Sequence, residues 1–204
     1  MGRFAGNTLS STSLFAQHIA QVQYVDEDRG HIRATTIDGM YTGAYVGELE
    51  DYAKVIELGQ ASTSPNVWGP AQIMQSWTYQ NMTDIWGDIP YSEALQGDLP
   101  GGPLKPKYDL QKDIYYGLLA SLTTASTAMS TATDAGLGTA DLIFQGNSAR
   151  WVKFANSLRA RMAMRMLKND AAKAGTELTA AFAAGVMTSK IGRASCRERV
   201  CLAV

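Results

Sequence analysis

Residues 81–95, with the sequence NMTDIWGDIPYSEAL, contain the turn around which the chain is organised. A helical pattern ends at Trp86, and Gly87 follows just past the helix end, where a left-handed backbone favours glycine. Pro90 then prevents the helix from resuming, because it lacks the backbone N–H and fixes its own backbone angle. We therefore predict a sharp turn here, with Ile89 packed back against the last helical turn.

On both sides of this turn, apolar residues recur at spacings of three and four, which is typical of amphipathic helices. The predicted helices cover residues 12–24, 38–59, 70–86, 109–133, 148–168 and 171–184. Asp38 and Asp109 are the predicted N-caps of the second and fourth of these helices. Asn147 or Ser148 is predicted to cap the fifth, and Pro70 to begin the third.

The predicted fold class is all-α, since no convincing pair of strands is present in the sequence. The second and third helices are joined by a short loop, as are the fourth and fifth, so we expect two antiparallel helix pairs. Such pairs are similar in kind to tetratricopeptide units, although the repeat signature does not match cleanly.

The composition narrows the classes of function. The chain has 204 residues and a formal net charge of −1, which does not favour a nucleic-acid surface. Its apolar runs are too short for a membrane span, and no signal peptide is visible. No nucleotide loop, nucleophile elbow or zinc helix is present, and the histidines His18 and His31 lack partners at metal spacing. We predict neither a cofactor nor a metal site.

The C-terminal residues from Lys190, KIGRASCRERVC, resemble a translation of sequencing-adapter DNA. Both cysteines, Cys196 and Cys201, lie in this stretch, so cysteine content says nothing about the redox compartment of the remaining chain. We expect residues 190–204 to be an adapter-derived artefact and residues 1–189 to be a partial helical domain.

Three carboxylates near the turn, Asp84, Asp88 and Glu93, suggest a glycosidase. Such an enzyme needs two carboxyl groups at a set separation across the scissile bond, which a spacing of four or five residues through a turn cannot establish. The alternative places these side chains on the helix surface and in the turn itself. We predict no catalytic residue.

Aromatic residues at loops and helix ends are better candidates for binding. Trp68, Trp86 and Tyr91 are the predicted ligand contacts, because an accessible ring can stack on the apolar face of a sugar. The alternative is that they hold the loop against the helices. A further set of basic residues on the fifth helix could bind an anion, although a solvated face is favoured: Arg159, Arg161, Arg165 and Lys168.

Three segments carry a family resemblance. They are WGDIPYSEALQG at 86–97, PKYDLQKDIYYGLL at 106–119, and DLIFQGNSARWVKFANSLRARMAMRM at 141–166. In sequence, order and spacing they resemble the SusD/RagB family, and the resemblance extends over most of residues 12–189. It implies a helical fold on a tetratricopeptide-like scaffold.

The resemblance also implies a non-enzymatic, lipid-anchored receptor on the outer face of the outer membrane. Such a receptor binds a glycan or another nutrient and delivers it to a SusC-like TonB-dependent transporter, as part of carbohydrate uptake. The chain lacks the expected lipidated cysteine near its start, and family members continue much further at the C-terminus, so we expect truncation at both ends. The alternative function is a helical-repeat scaffold that binds protein without binding saccharide.

Overall fold

The computed structural model describes residues 13–188 except Phe15, Tyr24 and Ile32. The chain divides into two compact units, with the boundary between Asp51 and Tyr52. The first unit contains a 3-10 turn, Glu27–Arg29, helix α1, Ala34–Gly43, and a π-helical segment, Ala44–Leu49. Helix α2, Glu50–Ala61, begins at the end of this unit.

In the first unit, two sequence predictions are wrong. Residues 16–23 form turns and bends in place of the predicted helix, and Gln17 has a positive φ of 56°, which a helix does not accommodate. The next helix begins at Ala34, because Arg33 has an extended backbone whose carbonyl accepts the first helical hydrogen bonds. Asp38 therefore lies inside α1 with its side chain exposed, and it is not the N-cap.

The second unit is built from helices packed in chain order. The elements are α3, Pro65–Trp86; β1, Ile89–Pro90; β2, Tyr108–Asp109; α4, Gln111–Thr131; a 3-10 turn, Gly138–Ala140; α5, Ser148–Met166; and α6, Ala171–Ala184. Extensive packing joins α3 to α4, α4 to α5, and α5 to α6. The all-α prediction is confirmed, with one short antiparallel strand pair in which Ile89 lies opposite Asp109.

The predicted pairing of the fourth and fifth helices is confirmed by the packing of α4 on α5. The third helix packs mainly on the fourth, not on the helix before it. The core between these helices consists of fully buried aliphatic side chains: Ile73, Met82, Ile114, Leu118, Leu119, Leu122 and Met162. None of the described helices combines the length and the apolar character needed to cross a membrane.

The predicted start of α3 at Pro70 is wrong, because the helix begins at Pro65 and Pro70 lies inside it. A distant residue holds the earlier start in place. The Asn66 backbone N–H donates to the Asp134 carboxylate, and the Asn66 side-chain amide donates to the Asp134 carbonyl at 2.9 Å.

The predicted end of the preceding helix at Gly59 is also wrong, because Gly59 lies within α2. A methyl group at Gly59 would lie 2.8 Å from Cβ of Trp68, so the two helices approach closely there.

The predicted turn after α3 is confirmed. The helix ends at Trp86, Gly87 has a φ of 75°, and its N–H donates to the carbonyl of Thr83 at 2.8 Å. Ile89 is fully buried, as expected for a residue packed back from the turn. The cap of α5 by Asn147 is also confirmed, since its side chain accepts from the Arg150 N–H.

The predicted cap of α4 is wrong. Leu110 occupies the N-cap position of α4 without a side-chain cap, and Asp109 lies in β2. Asp109 has a different role, because its carboxylate accepts hydrogen bonds from the loop after α3. The bounds predicted for α6 are confirmed: Asp170 caps its start and Gly185, with a φ of 90°, follows its end.

Candidate functional site

The turn after α3 is tied directly to the start of α4. The Asp88 carboxylate accepts from the Gln111 N–H at 2.8 Å and so satisfies a free donor at the start of α4. The Gln111 side-chain amide donates in return to the carbonyl of Thr83 at 2.6 Å. These reciprocal bonds hold the end of one helix against the beginning of the next.

The loop that follows is held by Asp109. Its carboxylate accepts from the N–H of Tyr91 at 3.1 Å, from the N–H of Ser92 at 2.6 Å and from the Ser92 hydroxyl at 2.9 Å. Partial burial raises the pKa of Asp109, but these hydrogen bonds and the charge of Lys107 outweigh that effect, so its pKa lies below the ordinary value. Asp109 therefore remains ionised and anchors the loop.

The three carboxylates considered for catalysis each have a partner in the fold. Asp84 accepts from Tyr115 and pairs with Arg165, while Asp88 binds the start of α4. Glu93 accepts from the backbone N–H of Lys107 at 3.1 Å. Of the three, Asp84 lines the cavity described below, whereas Asp88 and Glu93 do not. This arrangement does not place two of these three carboxylates around one cavity.

Tyr91, one of the predicted ligand contacts, is packed within the fold. Its ring makes an edge contact with Tyr79, with ring centroids 5.0 Å apart. It also lies against α4 at Gly117, where a methyl group would be 2.8 Å from a ring carbon. Burial raises the pKa of the Tyr91 hydroxyl. These contacts give Tyr91 a role in positioning the loop.

We expect Gly117→Ala to destabilise the protein by about 1–2 kcal/mol, because overpacking against the Tyr91 ring outweighs the gain in helix propensity. Gly175→Ala is the matched control, since Gly175 also lies inside a helix and nothing meets an added methyl group there. It should stabilise by about 0.5–1 kcal/mol. Urea unfolding of both variants checks the prediction, and shifts of the same sign would contradict it.

The other two predicted contacts lie far apart. Trp68 is in the first turn of α3 and Trp86 is its last residue, so a rise of 1.5 Å per residue separates them by roughly 27 Å. Both side chains are half-buried. Trp86 lies at the same turn as Tyr91, whereas Trp68 lies at the opposite end of the helix. The structure therefore does not bring the three predicted residues into one site.

A cavity of about 590 Å³ lies where the end of α3, the start of α4 and the end of α5 meet. This volume is within the range of roughly 300–1,000 Å³ that is usual for ligand sites. Its lining consists of Asp84, Gln111, Lys112, Tyr115, Tyr116, Arg165, Met166, Asn169 and Asp170. None of the aromatic residues predicted to bind ligand belongs to this set.

The carboxylates of the cavity are bound by protein donors. Both oxygens of Asp84 are occupied, one by the Tyr115 hydroxyl and the other by the Gln80 amide and Arg165. Asp170 accepts from the Tyr116 hydroxyl with one oxygen and caps α6 with the other. Neither carboxylate has an oxygen without a donor.

Burial and hydrogen bonding also shift the pKa values of groups in and near the cavity. Burial raises the pKa of Tyr115. The hydrogen bond between Tyr116 and Asp170 raises the pKa of the hydroxyl and lowers that of the carboxylate, since it favours the protonated phenol and the ionised acid. Burial lowers the pKa of Arg161, which donates to the Gln80 carbonyl oxygen. At neutral pH both tyrosines are hydroxyl donors.

Sequence patterns did not identify this cavity, although one signal was available. The spacing of apolar residues places Tyr115 on the apolar face of its helix, with Tyr116 directly beside it. Neighbouring helical residues point about 100° apart, so two adjacent tyrosines face different surroundings. Tyr115 is buried and Tyr116 is half-buried, and both line the cavity. Within the described part of the chain, no group of three or more His, Cys, Asp or Glu side chains could hold a metal ion.

Comparison with known proteins places this fold among related structures. Residues 3–197 match the profile of a SusD-like family described as "Starch-binding associating with outer membrane". No curated protein matches the chain.

Three solved structures illustrate the similarity. A chitin-binding protein is 31% identical with a TM-score of 0.74, over 87% of this chain and 38% of its own. A Bacteroidetes SusD-like protein is 33% identical with a TM-score of 0.67, over 79% of this chain and 29% of its own. A SusD homologue from Bacteroides uniformis is 27% identical with a TM-score of 0.59, over 70% of this chain and 29% of its own. The chain thus spans less than two fifths of the length of each.

Proposed function

The chain belongs to the SusD-like family, and from this premise we propose that it serves as a cell-surface receptor that binds glycans. The observation that carries the proposal is the family match over residues 3–197, whose description names both starch binding and the outer membrane. The 31% identity to a chitin-binding protein supports the same class of ligand.

The family is associated with the outer membrane. We extend the proposal to a lipid anchor and to delivery of the bound glycan to a SusC-like TonB-dependent transporter. Both extensions rest on the family resemblance. They place the protein at the first step of carbohydrate uptake, before transport.

The proposed activity is binding without cleavage. The engagement of Asp88 by the start of α4 and of Glu93 by Lys107 supports this proposal, because both carboxylates already have structural partners. A glycosidase would need an acid and a second carboxylate free to act on opposite sides of one bond.

Trp68 and Trp86 remain proposed glycan contacts, since each is half-buried and lies at a helix end. Their separation along α3 means that they would contact different parts of a long glycan or serve in different sites. Tyr91 is a weaker candidate, because Tyr79 and the helix at Gly117 already contact its ring.

Calorimetric titration of the complete protein with oligosaccharides of starch and chitin tests the proposal. We expect saturable binding of at least one oligosaccharide, and chromatography of the mixture should show no shorter products. Trp68→Ala and Trp86→Ala should each weaken binding if that ring stacks on the sugar, by about 1–3 kcal/mol as for other aromatic stacking contacts. Release of shorter products would contradict the proposal. Retention of a transporter with no binding of any glycan would favour the scaffold alternative.

A further inference from the structure

The cavity described above contains two cationic side chains, each with N–H donors available to a ligand. The Lys112 ammonium forms no ion pair with any described residue and lies 5.5 Å from the centroid of the Tyr116 ring. Its charge also helps to lower the pKa of Asp170. Arg165 uses one nitrogen for Asp84 and has further N–H donors, with 48% of its side chain exposed. Both groups line the same cavity.

The carboxylates in the cavity are already engaged. Each oxygen of Asp84 and of Asp170 takes a hydrogen bond from the protein, and the two tyrosine hydroxyl protons are used in these bonds. The Gln111 amide nitrogen is bound to the Thr83 carbonyl, and the side-chain carbonyl oxygens of Gln111 and Asn169 are neutral acceptors. A ligand would therefore meet charged donors and neutral acceptors.

The charged donors favour one class of ligand. A carboxylate or sulfate group brings a negative charge and accepts hydrogen bonds, whereas a neutral sugar hydroxyl brings no charge. Charge-assisted hydrogen bonds from an ammonium and a guanidinium are also stronger than neutral ones. Anionic groups match the cavity better than neutral hydroxyls.

We propose that this cavity binds the anionic group of an acidic saccharide, with Lys112 and Arg165 as the cationic contacts. The inference rests on the proposed function, since it names the class of glycan and a site for part of it. Uronic acids and sulfated sugars share the required chemistry. The apolar part of the sugar ring would lie against Tyr116 and Met166, which also line the cavity.

Pairs of ligands that differ in charge but have similar shape show how much the negative charge contributes to binding. The complete protein is titrated with trigalacturonic acid and with its methyl ester, and in parallel with a κ-carrageenan oligosaccharide and its desulfated form. We expect at least one acidic ligand to bind at least about tenfold more tightly than its neutral counterpart, as follows from one or two charge-assisted hydrogen bonds. Binding should weaken as the salt concentration rises.

Variants then locate the site. Lys112→Gln should weaken binding of the acidic ligand about tenfold and leave the neutral ligand unchanged. Arg165→Lys keeps the charge but loses the planar pair of donors, so it should weaken binding less. Lys153→Gln, a change at an exposed lysine outside the cavity, is the matched control and should have no effect. Thermal melts confirm that each variant is folded.

Three outcomes would overturn the inference. They are equal affinity for acidic and neutral ligands, unchanged acidic binding in Lys112→Gln, and binding of neutral glycans alone. In each of them the receptor function still stands, because a glycan is bound. Failure to bind any glycan, neutral or acidic, would overturn both this inference and the proposed function.

Discussion

Asp141→Ala is expected to destabilise the protein by about 3–4 kcal/mol, because it leaves several buried donors without an acceptor. The Asp141 carboxylate is 5% exposed and accepts from three backbone N–H groups of the loop before α5. It also accepts from the indole N–H of Trp151 at 2.7 Å. Removing the side chain therefore takes the acceptor away from the loop N–H groups and from the buried indole N–H at the same time.

Guanidinium unfolding monitored by tryptophan fluorescence measures this effect. Asp141→Asn should cost less than Asp141→Ala, since one oxygen remains for the N–H groups of Ile143 and Phe144. Its new NH₂ group would face the Trp151 donor, so recovery would be partial. Asp98→Ala, on an exposed loop, is the control and should change stability by no more than about 0.5 kcal/mol. An Asp141→Ala variant as stable as that control would contradict the prediction.

Glu177→Ala is expected to destabilise the protein by about 3 kcal/mol, because it leaves a buried guanidinium unpaired. The Glu177 carboxylate lies 2.8 Å from a nitrogen of Arg159, and the two side chains are 11% and 8% exposed. This ion pair joins α6 to α5. A second bond from Lys173 to Glu177, at 2.9 Å, lies nearer the solvent.

Two further variants separate the pair from the packing around it. Lys173→Ala removes the more exposed contact and should cost no more than about 1 kcal/mol. The double change Arg159→Met with Glu177→Leu replaces both charges by apolar groups of similar volume, and should recover most of the lost stability. Equal destabilisation by Glu177→Ala and by the double change would show that the unpaired charge is not the cause.

The same carboxylate makes stability depend on pH. Burial raises the pKa of Glu177, but hydrogen bonds and charges from Arg159 and Lys173 outweigh it, so the folded pKa lies below the ordinary value. The ionised form is thus favoured by folding, and its contribution is complete above the unfolded pKa of about 4.3. It is lost as the pH falls from there through the folded pKa. Stability measured between pH 7 and pH 3 should fall less steeply in Glu177→Gln than in the native protein.

The turn after α3 was predictable because its determinants are local. Gly87 and Pro90 stop a helix through their own backbone preferences, and these do not depend on distant contacts. The bounds of α6 were predictable for the same reason, since Asp170 and Gly185 lie directly at its ends. Apolar periodicity identified the helices of the second unit and hence the all-α class.

The errors occurred where a distant residue decides the local structure. Asp109 follows the sequence pattern of a helix cap, yet it accepts hydrogen bonds from the loop at Tyr91 and Ser92. The N–H at the start of α4 is satisfied by Asp88 from the other side of the loop, 23 residues away. A single-sequence pattern shows which residues can cap, but it does not show which donor will meet them.

The sequence alone thus determined the helical class, the turn at Gly87 and the SusD-like family. Tertiary structure decided the start of α3, through a contact with Asp134 across 68 residues, and the composition of the cavity. That cavity joins Asp84, Tyr115 and Arg165, which come from three helices. Helix propensity and capping act within a few residues, whereas hydrogen bonds between helices form only when apolar packing has brought their side chains together.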